Sequence, residues 1–211
     1  MRRNRAGRPE VGDPTERVVL ASANAKKAAE LAAVLGGRFD LVPRPGDVAE
    51  VVEDAESFLG NARLKASALV AATGLAALAD DSGLEVDLLG GAPGVRSARY
   101  AGEDAADSDN VEKLLDDLAQ WQEPDRRTAR FRCVLVLRRP SGAEIVAEGT
   151  CEGTIAALPS GGGGFGYDPV FVPSDGDGRT FAEMTSAEKH RISHRGRAIA
   201  RLVEILETER C

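Results

Sequence analysis

Aromatic side chains are scarce in this 211-residue chain, at 4%, so each Phe, Tyr and Trp marks a position to locate. Cysteine is scarce too. Cys133, Cys151 and Cys211 form no C-x-x-C pair, and their odd number makes a poor disulfide framework. Cys133 sits in an apolar run and reads as a small core residue of a protein kept in a reducing cytoplasm. No stretch approaches the roughly 18 apolar residues of a membrane span. Positive charge is in deficit: the formal net charge is -7. That argues against holding nucleic acid by bulk electrostatics, while leaving room for a few Lys and Arg to converge on a small phosphate ligand. G-x-x-x-x-G-K-[ST] is absent, which excludes a P-loop. The Arg-rich start, residues 1–16, has no apolar core of a signal peptide; the reading is a disordered tail, with a partner-touching basic arm as the alternative.

What is present is ordinary for a globular protein: 43% hydrophobic and 29% charged residues. Residues 17–211 are expected to form a single domain, with no linker long enough to divide it. "RVVLA" reads as a strand that runs into a helix carrying Ala28, Leu31, Ala32 and Leu35 on one face. A strand near Phe39 to Val42 follows, then an acidic loop and a helix marked by Phe58, Ala62, Ala66 and Leu69 and closed by Gly74. "LAALADDSG" reads as a short buried strand ending in two Asp. A glycine-rich loop, a helix over Asn110 to Gln120, and two strands over 129–138 and 144–152 joined by "RPSGA" come next. A short strand lies in "DPVFVP", and the end is helical, opened by the Thr185-x-x-Glu188 capping box. The class is mixed α/β.

Chemistry-bearing residues fall in a few places. In "LASANAKK" a strand gives way to a helix start, where backbone N–H groups and the helix dipole favour an anion. Ser22, Asn24 and Lys27 would add to that; a plain helix cap is the competing reading. Asp80 and Asp81 are adjacent at a strand end, so their side chains should point to opposite faces. One can face a cleft with a divalent ion, although an Asx turn with Gly83 is also open. The loop "EVVEDAES" offers Glu50, Glu53, Asp54 and Glu56 as further carboxylates, without singling one out. Asn61 and Lys65 share a helix face. "SAEKHRISHRGRA" holds Lys189, Arg191, Arg195, Arg197 and both His of the chain, His190 and His194. Its H-x-x-x-H spacing would suit a metal pair only on one helix, and a cap at Ser193 would break the shared face. "SDGDGRT" lacks the Glu of a Ca²⁺ loop and reads as a turn.

In "SGGGGFGYDPVF", Gly161, Gly163 and Gly166 match G-x-G-x-x-G. A dinucleotide fingerprint needs a helix after the glycines, and here two prolines and β-branched residues follow, so the match is accidental. The stretch reads as a loop that approaches something flat. Phe165 can stack on a base while Asp168 or backbone amides read its edge; a tight turn that packs Phe165 into the core is the alternative.

Taken in order, "LASANAKKAAEL", "FLGNARLKA", "LADDSGLEVDLLGGAPGVRSARYAG", "GGFGYDPVF" and "EKHRISHRGRA" closely resemble the blocks of the inosine triphosphate pyrophosphatase family, over nearly everything after Arg17. The resemblance implies an elongated mixed sheet flanked by helices, with the nucleotide in a cleft between two lobes, and a homodimer. It implies Mg²⁺-dependent hydrolysis of ITP, dITP and XTP to monophosphate and pyrophosphate. Carried over by position, Ser22, Ala23, Asn24, Ala25, Lys26 and Lys27 would bind the triphosphate, with Lys65 assisting. Asp81 would be metal ligand and proton acceptor, Glu53 a second metal ligand, and Ser82 a substrate contact. Phe165, Gly166, Tyr167 and Asp168 would hold the base, and Lys189, His194 and Arg195 would also bind substrate. The chain departs from the family pattern at Ala23, at Gly60, and around Glu53, where Asp54 and Glu56 are alternatives. Those departures keep two other readings open: a pyrophosphatase for other modified nucleotides, and a nucleotide-binding module without catalysis.

Overall fold

The structure, a computed structural model, describes residues 16–22, 25–49, 51–121 and 123–209, without the side chains of Ala25, Lys26 and Pro124. The expected tail (save Glu16), Ala23, Asn24, Glu50 and Cys211 lie outside the described residues.

Six strands form one mixed sheet in the order β2-β1-β3-β4-β5-β6. β1 (Arg17–Leu20) pairs parallel with both β2 (Asp40–Val42) and β3 (Ala76–Val86). β3, β4 (Thr128–Arg138), β5 (Glu144–Ile155) and β6 (Phe171–Pro173) pair antiparallel. The parallel part is crossed by α1 (Ala25–Leu35) and α2 (Phe58–Thr73). α2 begins at Ser57, whose hydroxyl accepts from the Gly60 N–H, and stops at Gly74, whose φ of 67° ends the helix. α3 (Asp107–Asp117) starts three residues ahead of the sequence expectation of Asn110. The C-terminal region is two helices, α4 (Ser186–Ile192) and α5 (His194–Thr208), with Ser193 between them capping the second.

The two lobes follow from strand length. β3, β4 and β5 have 11, 11 and 12 residues, about 36 Å at 3.3 Å per residue. At one end their side chains meet α1, α2 and α5: Leu78, Leu135 and Leu137 pack with Leu31, Ile199 and Leu202 on one face, and Ala79, Val134 and Val136 with Phe58, Ala62 and Leu69 on the other. At the far end Leu84, Val86, Phe131 and Ile155 form a separate core with α3, Phe171 and Phe181. The sheet is thus continuous while its covering layers are not, and Asp80, Asp81 and Ser82 sit at the junction.

One expectation is corrected here. β3 does not end at the two Asp; it continues through Ser82 and Gly83 to Val86, paired residue for residue with β4 from Ala77↔Arg138 to Val86↔Ala129. The Ser-Gly pair reads locally as a turn, but the ladder to β4 supplies hydrogen bonds a turn would forgo. On the opposite side of β4, Gly149 of β5 lets α5 descend onto the sheet, since a Cβ there would fall 2.2 Å from the His194 carbonyl oxygen. This contact sets the position of His194 and Arg195.

Candidate active site

Alternation along β3 sends the two adjacent carboxylates to opposite faces. Asp80 points toward α1 and α5, where its Oδ2 lies 3.3 Å from Lys27 Nζ and 3.6 Å from Arg195 Nη2. Burial alone would raise its pKa, but the charges of Lys27, Arg195 and Lys65 outweigh it and hold the carboxyl well below the ordinary range. Asp81 points toward α2. Lys65 Nζ donates to its Oδ1 at 3.0 Å and Asn61 Nδ2 to its Oδ2 at 3.2 Å. Burial raises the Asp81 pKa, with Lys65 opposing the rise and Glu53 adding to it. Lys65 is itself buried, which favours its neutral form, yet Asp81, Asp80 and Glu53 push its pKa up. One Asp is therefore firmly ionised and locks two cations; the other is the better proton acceptor.

Glu53 completes this group. Its Oε1 lies 3.3 Å from Lys65 Nζ, and its backbone carbonyl accepts from Arg99 Nη2 at 2.8 Å, which fixes the loop. Asp54 and Glu56 are exposed. Asp81 and Glu53 thus reach one common cation, and their oxygen donors suit Mg²⁺, which takes one or two carboxylates and fills its remaining positions with phosphate and water oxygens. Among the described residues no cluster of three His, Cys, Asp or Glu gathers as a ready-made metal cage.

Two cavities meet at Lys27, which lines both. The first, of about 210 Å³, is also lined by Ser22, Arg44, Glu53, Lys65 and Asp80. The second, of about 310 Å³, is lined by Ser82, Phe131, Phe165, Lys189, His194 and Arg195, among others. The first is ionic and the second has aromatic walls. Lys27 Nζ and Arg195 Nη2 both donate to Ser82 Oγ, at 3.3 and 3.1 Å, so the serine joins the cations at the boundary.

In the second cavity His194 is stacked on Phe131, with centroids 4.6 Å apart and planes 12° from parallel. Burial, then the charges of Arg195, Lys189 and Lys27, hold its pKa well below the ordinary value, so it is neutral near pH 7. Its Nδ1 and the Nε of Arg195 are buried with no hydrogen-bond partner among the described residues. Such atoms are uncommon in folded proteins and suit a polar ligand. Arg195 also donates from Nη1 to Glu30 at 3.0 Å. Lys189 Nζ and the Arg195 guanidinium carbon lie 4.7 and 5.7 Å from the centre of the Phe165 ring.

The loop carrying Phe165 is built rather than slack. The Asp168 Oδ2 accepts from the Phe165 N–H at 2.9 Å and from Lys189 Nζ, so one carboxylate oxygen is held within the protein. Gly166 N–H donates to Asp107 at 2.7 Å, and the Tyr167 hydroxyl to the Ser97 carbonyl at 2.9 Å. Gly164, at φ 74°, leaves no room for a side chain, since a Cβ would fall 2.0 Å from Asp168 Oδ2. Gly161, at φ 82°, packs on the Ala182 backbone, where a Cβ would fall 2.5 Å from the carbonyl carbon.

Of the residues expected from sequence, Ser22, Lys27, Glu53, Lys65, Asp81, Ser82, Phe165 to Asp168, Lys189, His194 and Arg195 are gathered at these cavities or touch residues that line them. Ala25 and Lys26 open α1, with their side chains outside the described set. His190 and His194 fall on different helices, as a cap at Ser193 requires. Asn61 joins Lys65 at Asp81, and Arg44 is a lining residue that the sequence reading does not name. The spacing of Asn61 from Lys65 was a usable signal; nothing in the sequence around Arg44 was.

The Ham1 family's sequence profile matches residues 18–205. The chain is 48% identical over 196 residues to the dITP/XTP pyrophosphatase of Escherichia coli O157:H7, covering 90% of this chain and 98% of that protein. It is 47% identical over 195 residues to the dITP/XTP pyrophosphatase of Streptomyces coelicolor, covering 90% and 96%. Among solved structures, a HAM1 protein from Coxiella burnetii superposes with a TM-score of 0.85 at 40% identity, over 92% of this chain and 99% of that one. A nucleoside-triphosphatase / dITP/XTP pyrophosphatase from Mycobacterium abscessus gives 0.75 at 45% identity, over 90% and 99%. The chain belongs to the Ham1 family.

Proposed function

We propose that this protein hydrolyses the deaminated purine nucleoside triphosphates ITP, dITP and XTP to the monophosphate and pyrophosphate, in the presence of Mg²⁺. The observation that carries this reading is the meeting of an ionic cavity and an aromatic-walled one at Lys27. A ligand with a flat base at one end and a polyphosphate at the other matches that pair. The names of the relatives support the same substrate class.

In this reading water attacks the α-phosphorus, the bond to the bridging oxygen of the β-phosphate breaks, and pyrophosphate leaves. Asp81 accepts the proton from the water. Lys65 and Asn61 hold both its oxygens, which fixes its orientation. Lys27, 3.3 Å from Asp80, stabilises negative charge on the phosphates. Asp81 and Glu53 would hold Mg²⁺, which would supply further charge stabilisation at the phosphate oxygens. Phe165 stacks on the base. The Arg195 guanidinium, which can only donate, and neutral His194 in the tautomer that turns its N–H to the cavity offer donors to a 6-oxo group, and adenine's 6-amino group would face the guanidinium donor to donor. We place the enzyme in the cytoplasm as a homodimer acting on free nucleotides. Buried, unpaired Cys133 and Cys151 suit a reducing compartment, and among the described residues no helix is long and apolar enough to cross a membrane.

The test is pyrophosphate release from ITP, with and without Mg²⁺. Release that survives complete chelation of divalent ions would remove Mg²⁺ from the proposal, and no release under either condition would leave a binding module.

A further inference from the structure

Arg44 lies between β2 and α2 and lines the ionic cavity, with Val48, Ala49 and Val51 beside it; none of these four lines the base cavity. Three cations border the ionic cavity, and they are not equivalent. Lys27 faces Asp80 at 3.3 Å, and Lys65 faces Asp81 at 3.0 Å and Glu53 at 3.3 Å. Arg44 has no carboxylate within ion-pair distance among the described residues; it donates one hydrogen bond, from Nη2 to the Val48 carbonyl at 2.9 Å. A guanidinium has five N–H donors, so its capacity for a phosphate is largely unspent.

The local chain holds this group in place. Pro43 and Pro45 fix φ on either side of Arg44. The Val48 N–H closes a turn onto the Pro45 carbonyl at 3.3 Å, and the Arg44 side chain spans that turn to Val48. A partly buried guanidinium is thereby held at the cavity wall with little rotamer freedom left to lose on binding.

We propose that Arg44 is a further substrate-binding residue, which holds the terminal phosphates of the nucleotide and hence the pyrophosphate product. This rests on reading the ionic cavity as the polyphosphate site. Because Lys27 joins the two cavities and Arg44 belongs to the ionic one alone, the α-phosphate lies toward Lys27 and Asp81, and the leaving phosphates lie toward Arg44.

The experiment compares wild type with Arg44→Ala in two ways. Calorimetry measures binding of inorganic tripolyphosphate, which requires no turnover, and steady-state assays measure inhibition of ITP hydrolysis by pyrophosphate and by IMP. The expected result is a ten- to hundredfold loss of affinity, on the order of one charge-assisted hydrogen-bonded contact, for tripolyphosphate and pyrophosphate. The KM for ITP rises in parallel, while inhibition by IMP stays unchanged. Unchanged pyrophosphate affinity overturns the proposal, as does an equal loss for pyrophosphate and IMP, which would make Arg44 only a brace of its loop. Wild type that fails to bind tripolyphosphate also overturns it. Wild type that binds tripolyphosphate but does not hydrolyse ITP overturns the enzymatic reading and leaves Arg44 a polyphosphate ligand.

Discussion

Lys65 Nζ of α2 lies 3.0 Å from Asp81 Oδ1 of β3, a contact between a helix and a strand that brings an ammonium onto the carboxylate with the raised pKa. The pair joins the helix that covers the sheet to the strand that runs through both lobes.

Asp81→Asn is expected to reduce kcat by at least about a hundredfold, the usual worth of a positioned general base. Thermal unfolding should shift less than for Asp80→Asn, because removing a charge whose burial opposes folding offsets the loss of the Lys65 partner. Because burial raises the folded pKa of Asp81, its charge opposes folding above that pKa, and the penalty is relieved as pH falls through it. Pyrophosphate release and a melting curve on the same sample check both halves.

Asp80→Asn should cost more stability. Asp80 is 4% exposed and pairs with Lys27 and Arg195. Its loss leaves two cations facing a neutral amide, at a cost of about 3 kcal/mol. Since its folded pKa lies below the unfolded one, the stabilisation is full above about pH 4, the ordinary Asp value, and fades as pH falls toward the folded pKa. Urea titrations of both proteins at pH 7 should show the gap, and at pH 3 should show it narrowed.

His194→Ala should lower kcat/KM for ITP about tenfold to a hundredfold and narrow its advantage over ATP, by removal of a donor at the 6-position. Because His194 is neutral near pH 7, the wild-type pH–rate profile should carry no inflection from it between pH 6 and 8. Parallel ITP and ATP kinetics across that range provide the check.

Phe165→Ala should raise the KM for ITP about tenfold, the usual worth of stacking one base. Gly164→Ala should be at least as harmful, without touching substrate, because its Cβ collides with the Asp168 carboxylate that anchors the Phe165 backbone. Equal KM values for Gly164→Ala and wild type would show that the loop tolerates rearrangement.

Much of this site is legible in the sequence because it follows from periodicity. Two adjacent Asp on a strand must diverge, and Asn61 and Lys65 four apart on a helix must share a face. Ser193 separates His190 from His194 because a cap requires a break between helices. What was not legible depends on partners distant in sequence. β3 runs past Ser82 and Gly83 because β4 pairs with it. The Asp168 Oδ2 accepts from Phe165 and Lys189, contacts that no local pattern announces. The acidic loop offers several carboxylates, and only folding brings Glu53 rather than Asp54 or Glu56 onto Lys65. Arg44 carries no periodic signal at all, and its meaning comes from the cavity it borders.

The most direct measurement of the central claim is the ratio of kcat/KM for pyrophosphate release from dITP to that from dATP, taken with Mg²⁺ on one enzyme preparation. A ratio above about a hundred is expected if donors at the 6-position govern selection, with XTP and ITP ranking beside dITP. A ratio near one, or release confined to other modified nucleotides, would overturn the assignment.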